Sequence, residues 1–248
     1  MFSLRGYLFS LCLCFTIGPL LYGQSESHIV SLKKQTIASI TEDKFGFDDL
    51  LINGVKYRAE NIRANGNPFF EWERTLGEEL FIKGQSYKNV NLFYDINLDQ
   101  LILKKVQKNY FELEIVLNTS FIDSFYLANH LFVNLQCFSK KSENTGYYEK
   151  IYAGKNMLLK KYKKRFVDSF DNRNPFGKFS PTHFTLFIYT QDILVKVNSK
   201  KELLKFYSEN KKQIRRFIRK NRTKYKKSSN PELIKLMNFC DEISTKTN

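Results

Sequence analysis

The chain has 248 residues, of which 42% are hydrophobic and 15% aromatic, enough to build a packed core, so disorder throughout is excluded. With only 11 Gly and 5 Pro it belongs to neither the collagen-like nor the low-complexity class, and four Cys are too few for a disulfide scaffold. Forty Lys+Arg against 25 Asp+Glu leave a net charge of +15.

Residues 1–23 carry one charge, Arg5, followed by an apolar run from Tyr7 to Leu21 and the small residue Gly23 ahead of polar Gln24-Ser25-Glu26-Ser27. That order is the layout of a secretory signal peptide, with the cut expected after Gly23. A membrane anchor is the alternative, but the run is short for a span of about 20 residues and Gly18-Pro19 breaks it. Removal of residues 1–23 leaves 24–248 with a charge of +14 and two cysteines, Cys137 and Cys240, which either pair or remain two buried thiols.

From residue 50 onward the pattern is that of an antiparallel meander. Asn53-Gly54 between Leu50-Leu51-Ile52 and Val55-Lys56-Tyr57 predicts a tight hairpin. Phe69–Trp72 and Glu79–Ile82 read as short strands, and Lys83-Gly84-Gln85 turns the chain into a strand over Tyr87–Tyr94, with Val90, Leu92 and Tyr94 on one face. Leu98–Val106 follows, then Phe111, Leu113, Ile115 and Leu117 alternate with polar neighbours. Tyr126–Leu127 and Leu131–Phe138 form a hairpin around Asn129-His130. Tyr147–Tyr152 and Met157–Phe166 flank Ala153–Asn156. After a polar loop over 168–181, His183–Tyr189 and Ile193–Val197 close the series around Gln191-Asp192.

Two helices end the chain. Ser199-Lys200-Lys201-Glu202 is a capping box opening a helix over 199–222, whose stripe is Leu203, Phe206, Tyr207, Ile214, Phe217 and Ile218. Asn230-Pro231 opens the second, over 231–244, with Leu233, Leu236, Met237, Cys240 and Ile243 facing inward. The expected fold is therefore α+β: a mostly antiparallel sheet, whether meander, sandwich or partly open barrel, followed by two C-terminal helices, all in a single domain over 24–248.

Asn53-Gly54 with Tyr57, the run Lys83-Gly84-Gln85-Ser86-Tyr87-Lys88-Asn89-Val90-Asn91-Leu92-Phe93-Tyr94-Asp95 with Asp99, Gly146-Tyr147-Tyr148-Glu149, and the Lys-rich helix 200–222 with Asn221 carry a resemblance. Together they resemble a family of exported, signal-peptide-bearing Bacteroidota proteins. The resemblance implies export to the periplasm or the outer membrane and this organisation of elements. It implies no catalytic residue.

Charge is concentrated rather than spread. Residues 200–227 hold 13 Lys/Arg and two acids, a local net charge of +11. On a helical wheel Lys201, Lys205, Lys212, Arg216, Arg219 and Lys220 lie opposite the apolar stripe. A second basic cluster, Lys155, Lys160, Lys161, Lys163, Lys164 and Arg165, contributes Lys160 and Lys164 to the same candidate anion-binding set. Such a face suits an anionic membrane surface or an acidic envelope protein. An exported chain is not expected to meet nucleic acid. An ordinary solvated helix face is the bland reading of the same charge run.

No catalytic constellation stands out. His28, His130 and His183 lack a second ligand at metal spacing, and no nucleophile elbow, phosphate loop or zinc-protease motif occurs. Asp95-Ile96-Asn97-Leu98-Asp99 begins like a calcium loop, but Gln100 and Val106 stand where Gly and Glu are needed, so it reads as a capped turn. No metal or cofactor is expected. Trp72, Phe69, Phe70, Tyr87 and Phe93 read as core. The reading is a noncatalytic envelope binding or accessory protein. The alternatives are a carrier with an apolar cavity in the sheet and an enzyme with a dispersed site.

Overall fold

The computed structural model describes residues 54–71, 78–106, 112–139, 145–168 and 170–245. The chain divides into two units, Met1–Asp48 and Asp49–Asn248, and all of these residues belong to the second. The expected signal peptide, the strand at Leu50–Ile52, His28 and Trp72 lie outside the described residues.

Strand β1 is Gly54–Lys56, and it pairs antiparallel with a later strand, Gly54 facing Leu117. Gly54, expected as the second residue of a type I′ turn with positive φ, is instead an extended strand residue. The glycine is needed for proximity: a Cβ there would lie 2.1 Å from the Val116 carbonyl oxygen. Residues 69–71 form a bridge and a bend rather than a strand, Phe69 bridging to Asp95.

Strands β2 (Glu78–Ile82) and β3 (Gln85–Val90) form the expected hairpin, Lys83 and Gly84 both adopting positive φ. The strand expected over 87–94 is broken. Asn89 takes a left-handed φ of 57°, and the chain leaves for another sheet as β4 (Leu92–Asp95). Val90, Leu92 and Tyr94 nevertheless reach one apolar cluster, because that cluster lies between the two sheets. β5 (Gln100–Val106) and β6 (Glu112–Leu117) complete the four-stranded sheet, in the order β1-β6-β5-β4.

β7 (Ile122–Leu127) and β8 (His130–Asn134) turn at Ala128-Asn129, both at positive φ, so His130 is the first residue of a strand rather than part of the turn. Residues Leu135–Phe138, expected as strand, form a single helical turn, α1. Asn134 sets it by accepting from Gln136 N while its own amide donates to the Thr119 and Ile122 carbonyls. β9 (Tyr147–Ala153) and β10 (Met157–Lys163) follow, then the small ribbon of β11 (Phe166–Val167) and β12 (Lys178–Phe179). β13 (His183–Thr190) and β14 (Ile193–Lys196) turn at Gln191-Asp192.

The large sheet has the order β14-β13-β10-β9-β8-β7-β2-β3, antiparallel throughout, and neither large sheet closes into a barrel. The chain is α+β, mostly antiparallel, with its larger helices at the C-terminus. The expected helix 199–222 is two helices, α2 (Lys200–Phe206) and α3 (Lys211–Lys220). Tyr207–Asn210 separates them: Ser208 and Asn210 are poor helix formers, and Tyr207 turns inward to accept from Asn156 Nδ2 at 3.2 Å. Helix α4 spans Asn230–Thr245.

One face of the large sheet carries two apolar clusters. The first, including Leu80, Leu92, Tyr94, Phe125, Phe132 and Tyr147, lies between the two sheets. The second joins Ile151, Leu158, Leu186 and Ile188 to Leu203, Ile214, Ile218, Leu236 and Cys240 of the three helices. Tyr147 belongs to one cluster and Ile151 to the other, and residues two apart on a strand share a face. The residue between them on β9 is Glu149, so the seam between the clusters carries a carboxylate.

Candidate functional site: the basic helical face

Ser199 caps α2: its hydroxyl accepts from Glu202 N at 3.2 Å and donates to the Glu202 carboxylate at 3.0 Å. Leu203, Leu204, Tyr207, Ile214 and Ile218 are buried, and Phe206 and Phe217 half-buried, so most of the stripe packs as its spacing requires. All thirteen bases of residues 200–227 are exposed, Lys201, Lys205, Lys212, Arg216, Arg219 and Lys220 among them.

Helix α3, Lys-Lys-Gln-Ile-Arg-Arg-Phe-Ile-Arg-Lys, is arranged against its own stability. No acid stands in its first turn, where Lys211 and Lys212 oppose the positive end of the helix dipole. Lys211/Arg215, Arg215/Arg219, Lys212/Arg216 and Arg216/Lys220 are like charges four apart, each costing about 0.2–0.5 kcal/mol. Among the described residues no ion pair involves any of these side chains.

The second cluster does not join this face. Lys160 is 7% exposed and donates to Asn230 Oδ1 at 2.7 Å, with Glu149 Oε2 at 3.4 Å. Lys161 is held by Asp99 Oδ2 at 2.6 Å. Lys164 donates to the carbonyls of Asn67 and Phe69 at 3.1 and 2.7 Å. A run of lysines along a strand must turn some of them inward, and here those are claimed by structural acceptors. Lys160 and Lys164 are therefore removed from the candidate set.

Beside the basic face, α3 and α4 leave an open groove of about 450 Å³ lined by Phe217, Pro231, Ile234, Lys235, Phe239 and Glu242, among others. Phe217 stacks on Phe239 with ring centroids 4.2 Å apart. Because Phe217 is half-buried rather than enclosed, Phe217→Ala should cost about 1–2 kcal/mol, against about 3–5 for a fully buried Phe. Chemical denaturation of the two proteins checks this; a loss above about 3 kcal/mol would mean that the groove is closed in solution.

No motif in the sequence points to the polar cluster in the seam. Glu149, 2% exposed, accepts at Oε1 from Asn230 Nδ2 at 2.8 Å and meets His130 Nδ1 there, while Tyr162 OH donates to Oε2 at 2.7 Å. Burial alone would push the Glu149 carboxyl up, but His130, Lys160 and Tyr162 together hold it below its usual range. Contact with Glu149 raises the His130 imidazole, burial and Lys160 opposing, and Glu71 lies 3.8 Å from its other nitrogen. The signal that could have found this cluster is Glu149 itself, an acid at an inward position between Tyr147 and Ile151.

Asp95–Asp99 is a capped turn, Asp95 Oδ1 accepting from the backbone N–H of Asn97 and Leu98 at 2.9 Å each. Gly146 (φ +95°) passes against Asp99, where a Cβ would lie 1.9 Å from the carboxylate. Cys137 is exposed and Cys240 buried, and each is a free thiol. Among the described residues no group of three or more His, Cys, Asp or Glu could hold a metal, and no helix is long and apolar enough to cross a membrane. Comparison with protein-family models, with curated proteins and with solved structures finds no significant match to this chain.

Proposed function

We propose that this is an exported accessory protein of the cell envelope that docks on an anionic membrane surface through the basic face of α2, α3 and the segment after them. The observation carrying the proposal is that the thirteen exposed bases of residues 200–227 are kept together at a cost to α3, with no ion-pair partner among the described residues. A helix evolved only to cover the sheet gains nothing from like charges at four-residue spacing; a helix that meets phosphate groups gains from each. The apolar N-terminal run after Arg5 and the resemblance to an exported family support the location.

Each Lys or Arg near an anionic bilayer contributes about 1 kcal/mol, fading beyond about 8 Å at physiological salt. The protein should co-sediment with phosphatidylglycerol-containing vesicles at low salt, release at high salt, and ignore neutral vesicles. Reversing Lys212, Arg216, Arg219 and Lys220 to Glu should abolish sedimentation while the thermal unfolding midpoint stays within a few degrees, because none of the four packs on the core. If the quadruple variant and the wild type sediment alike, the face is ordinary solvated surface.

A further inference from the structure

We infer that α3 is the first part of the helical layer to open in the free protein, and that docking on an anionic bilayer holds it closed. Binding at the basic face and ordering of α3 are then one coupled event. The inference rests on the docking reading and adds to it a conformational step at the same site.

Three observations single out α3. First, its N-terminus is uncapped. The Ser199 hydroxyl caps α2, and ahead of α4 the Ser229 backbone N–H and hydroxyl donate to the Glu232 carboxylate at 2.8 and 3.0 Å. Asn210 makes no side-chain cap bond, and no acid stands in the first turn of α3. The C-terminal turn is better held, Asn221 Nδ2 donating to the Phe217 carbonyl at 3.0 Å, so opening begins at Lys211. Second, α3 is lightly anchored: it buries Ile214 and Ile218, whereas α4 buries Leu233, Leu236, Met237 and Cys240.

Third, the repulsion along α3 exists only while the helix is formed. Bases four apart sit about 5–6 Å from one another on a helix but roughly 13 Å apart in an extended segment, beyond the Debye length of about 8 Å at physiological salt. Anions set along the formed face relieve that repulsion, and the open segment has little of it to relieve. An anionic bilayer therefore binds closed α3 more tightly than open α3, and that difference in affinity shifts the population.

Amide hydrogen exchange of the protein tests this, free and with phosphatidylglycerol or phosphatidylcholine vesicles at low salt. In the free protein, amides of residues 215–220 should exchange about tenfold or more faster than those of 235–240. Phosphatidylglycerol vesicles should slow exchange at 215–220 by about tenfold or more, with a ceiling of about 100-fold at 100 times Kd, and should leave 235–240 nearly unchanged. Phosphatidylcholine should do neither. Without any vesicles, the double variant Lys211→Glu, Lys212→Glu should slow exchange at 215–220 by about fivefold or more, because it places acids at the helix N-terminus and four residues before Arg215 and Arg216. Equal protection of α3 and α4 in the free protein, or no effect of the double variant, overturns the opening of α3. Unchanged exchange at 215–220 in protein that sediments with the vesicles overturns the coupling and leaves docking standing. Failure of the wild type to sediment with them overturns the docking reading itself.

Discussion

Glu149→Ala should destabilise the protein by about 3–5 kcal/mol, the cost of leaving a buried charge without its partner. The side chain is nearly inaccessible and all its neighbours depend on it: Lys160, itself 7% exposed, His130, Tyr162 and Asn230. Its removal leaves the Lys160 ammonium with only Asn230 Oδ1 and the nearby Tyr162 and Phe184 rings. The double variant Glu149→Leu, Lys160→Met should lose less than the single one, because no charge is then stranded in the seam. Urea unfolding of the three proteins decides it, and a double variant worse than Glu149→Ala would mean the pair is more than a compensated burial.

The same cluster sets a pH dependence whose sign is fixed by the two shifts. His130 is raised from its ordinary 6.5, so its contribution is complete below about 6.5 and is lost as pH rises through the folded value. Glu149 is lowered from 4.5, so its contribution is complete above about 4.5 and is lost as pH falls through the folded value. The cluster therefore stabilises most between about pH 4.5 and 6.5. In His130→Gln the decline on the alkaline side of that window should be absent, which thermal melts of both proteins across pH 5–9 would reveal as converging midpoints at high pH.

Phe132→Ala should cost about 3–5 kcal/mol, since it removes a wholly buried ring and opens a cavity that its neighbours cannot close. Phe132 stacks on Phe125 with centroids 5.0 Å apart and meets Phe70 and Tyr94 edge-on at 5.1 and 5.3 Å. These rings come from β7, β8, β4 and the 69–71 bend, so one substitution loosens both sheets. Loss of cooperativity as well as stability is the expected result. A change below about 1 kcal/mol, small for a core aromatic, would mean that the two sheets do not share this core.

Most of the strands were legible because each needs only local information, an alternating face and a turn at each end; the exceptions, 69–72, 87–94 and 135–138, are set by contacts with distant residues. Lys83-Gly84 and Gln191-Asp192 are turns that the chain itself demands, and both adopt the positive φ expected there. The helical stripe was legible for the same reason, although the α2–α3 break was not. That break depends on Tyr207 finding Asn156 on the strand connection between β9 and β10, 51 residues away.

The candidate site divides along the same line. Lys212, Arg216, Arg219 and Lys220 were placed correctly on the outside, because a helix with one apolar stripe must expose the rest. Lys160 was not, because whether a strand residue faces solvent depends on what lies over that face of the sheet, and Lys164, just beyond β10, was not, because the Asn67 and Phe69 carbonyls that claim it lie far away in the chain. Gly54 shows the limit most clearly: Asn-Gly has the composition of a turn, yet the glycine serves the close approach of β6, whose Val116 lies 62 residues further along the chain. By itself the sequence determined the antiparallel α+β class, the turns at Lys83-Gly84 and Gln191-Asp192 and the local concentration of charge, all of which follow from short-range patterns. Only the tertiary structure decided which strands share a sheet, that the chain changes sheets after Asn89, and that Glu149 gathers His130, Lys160, Tyr162 and Asn230 in the seam, because burial and pairing are set by residues distant in the chain.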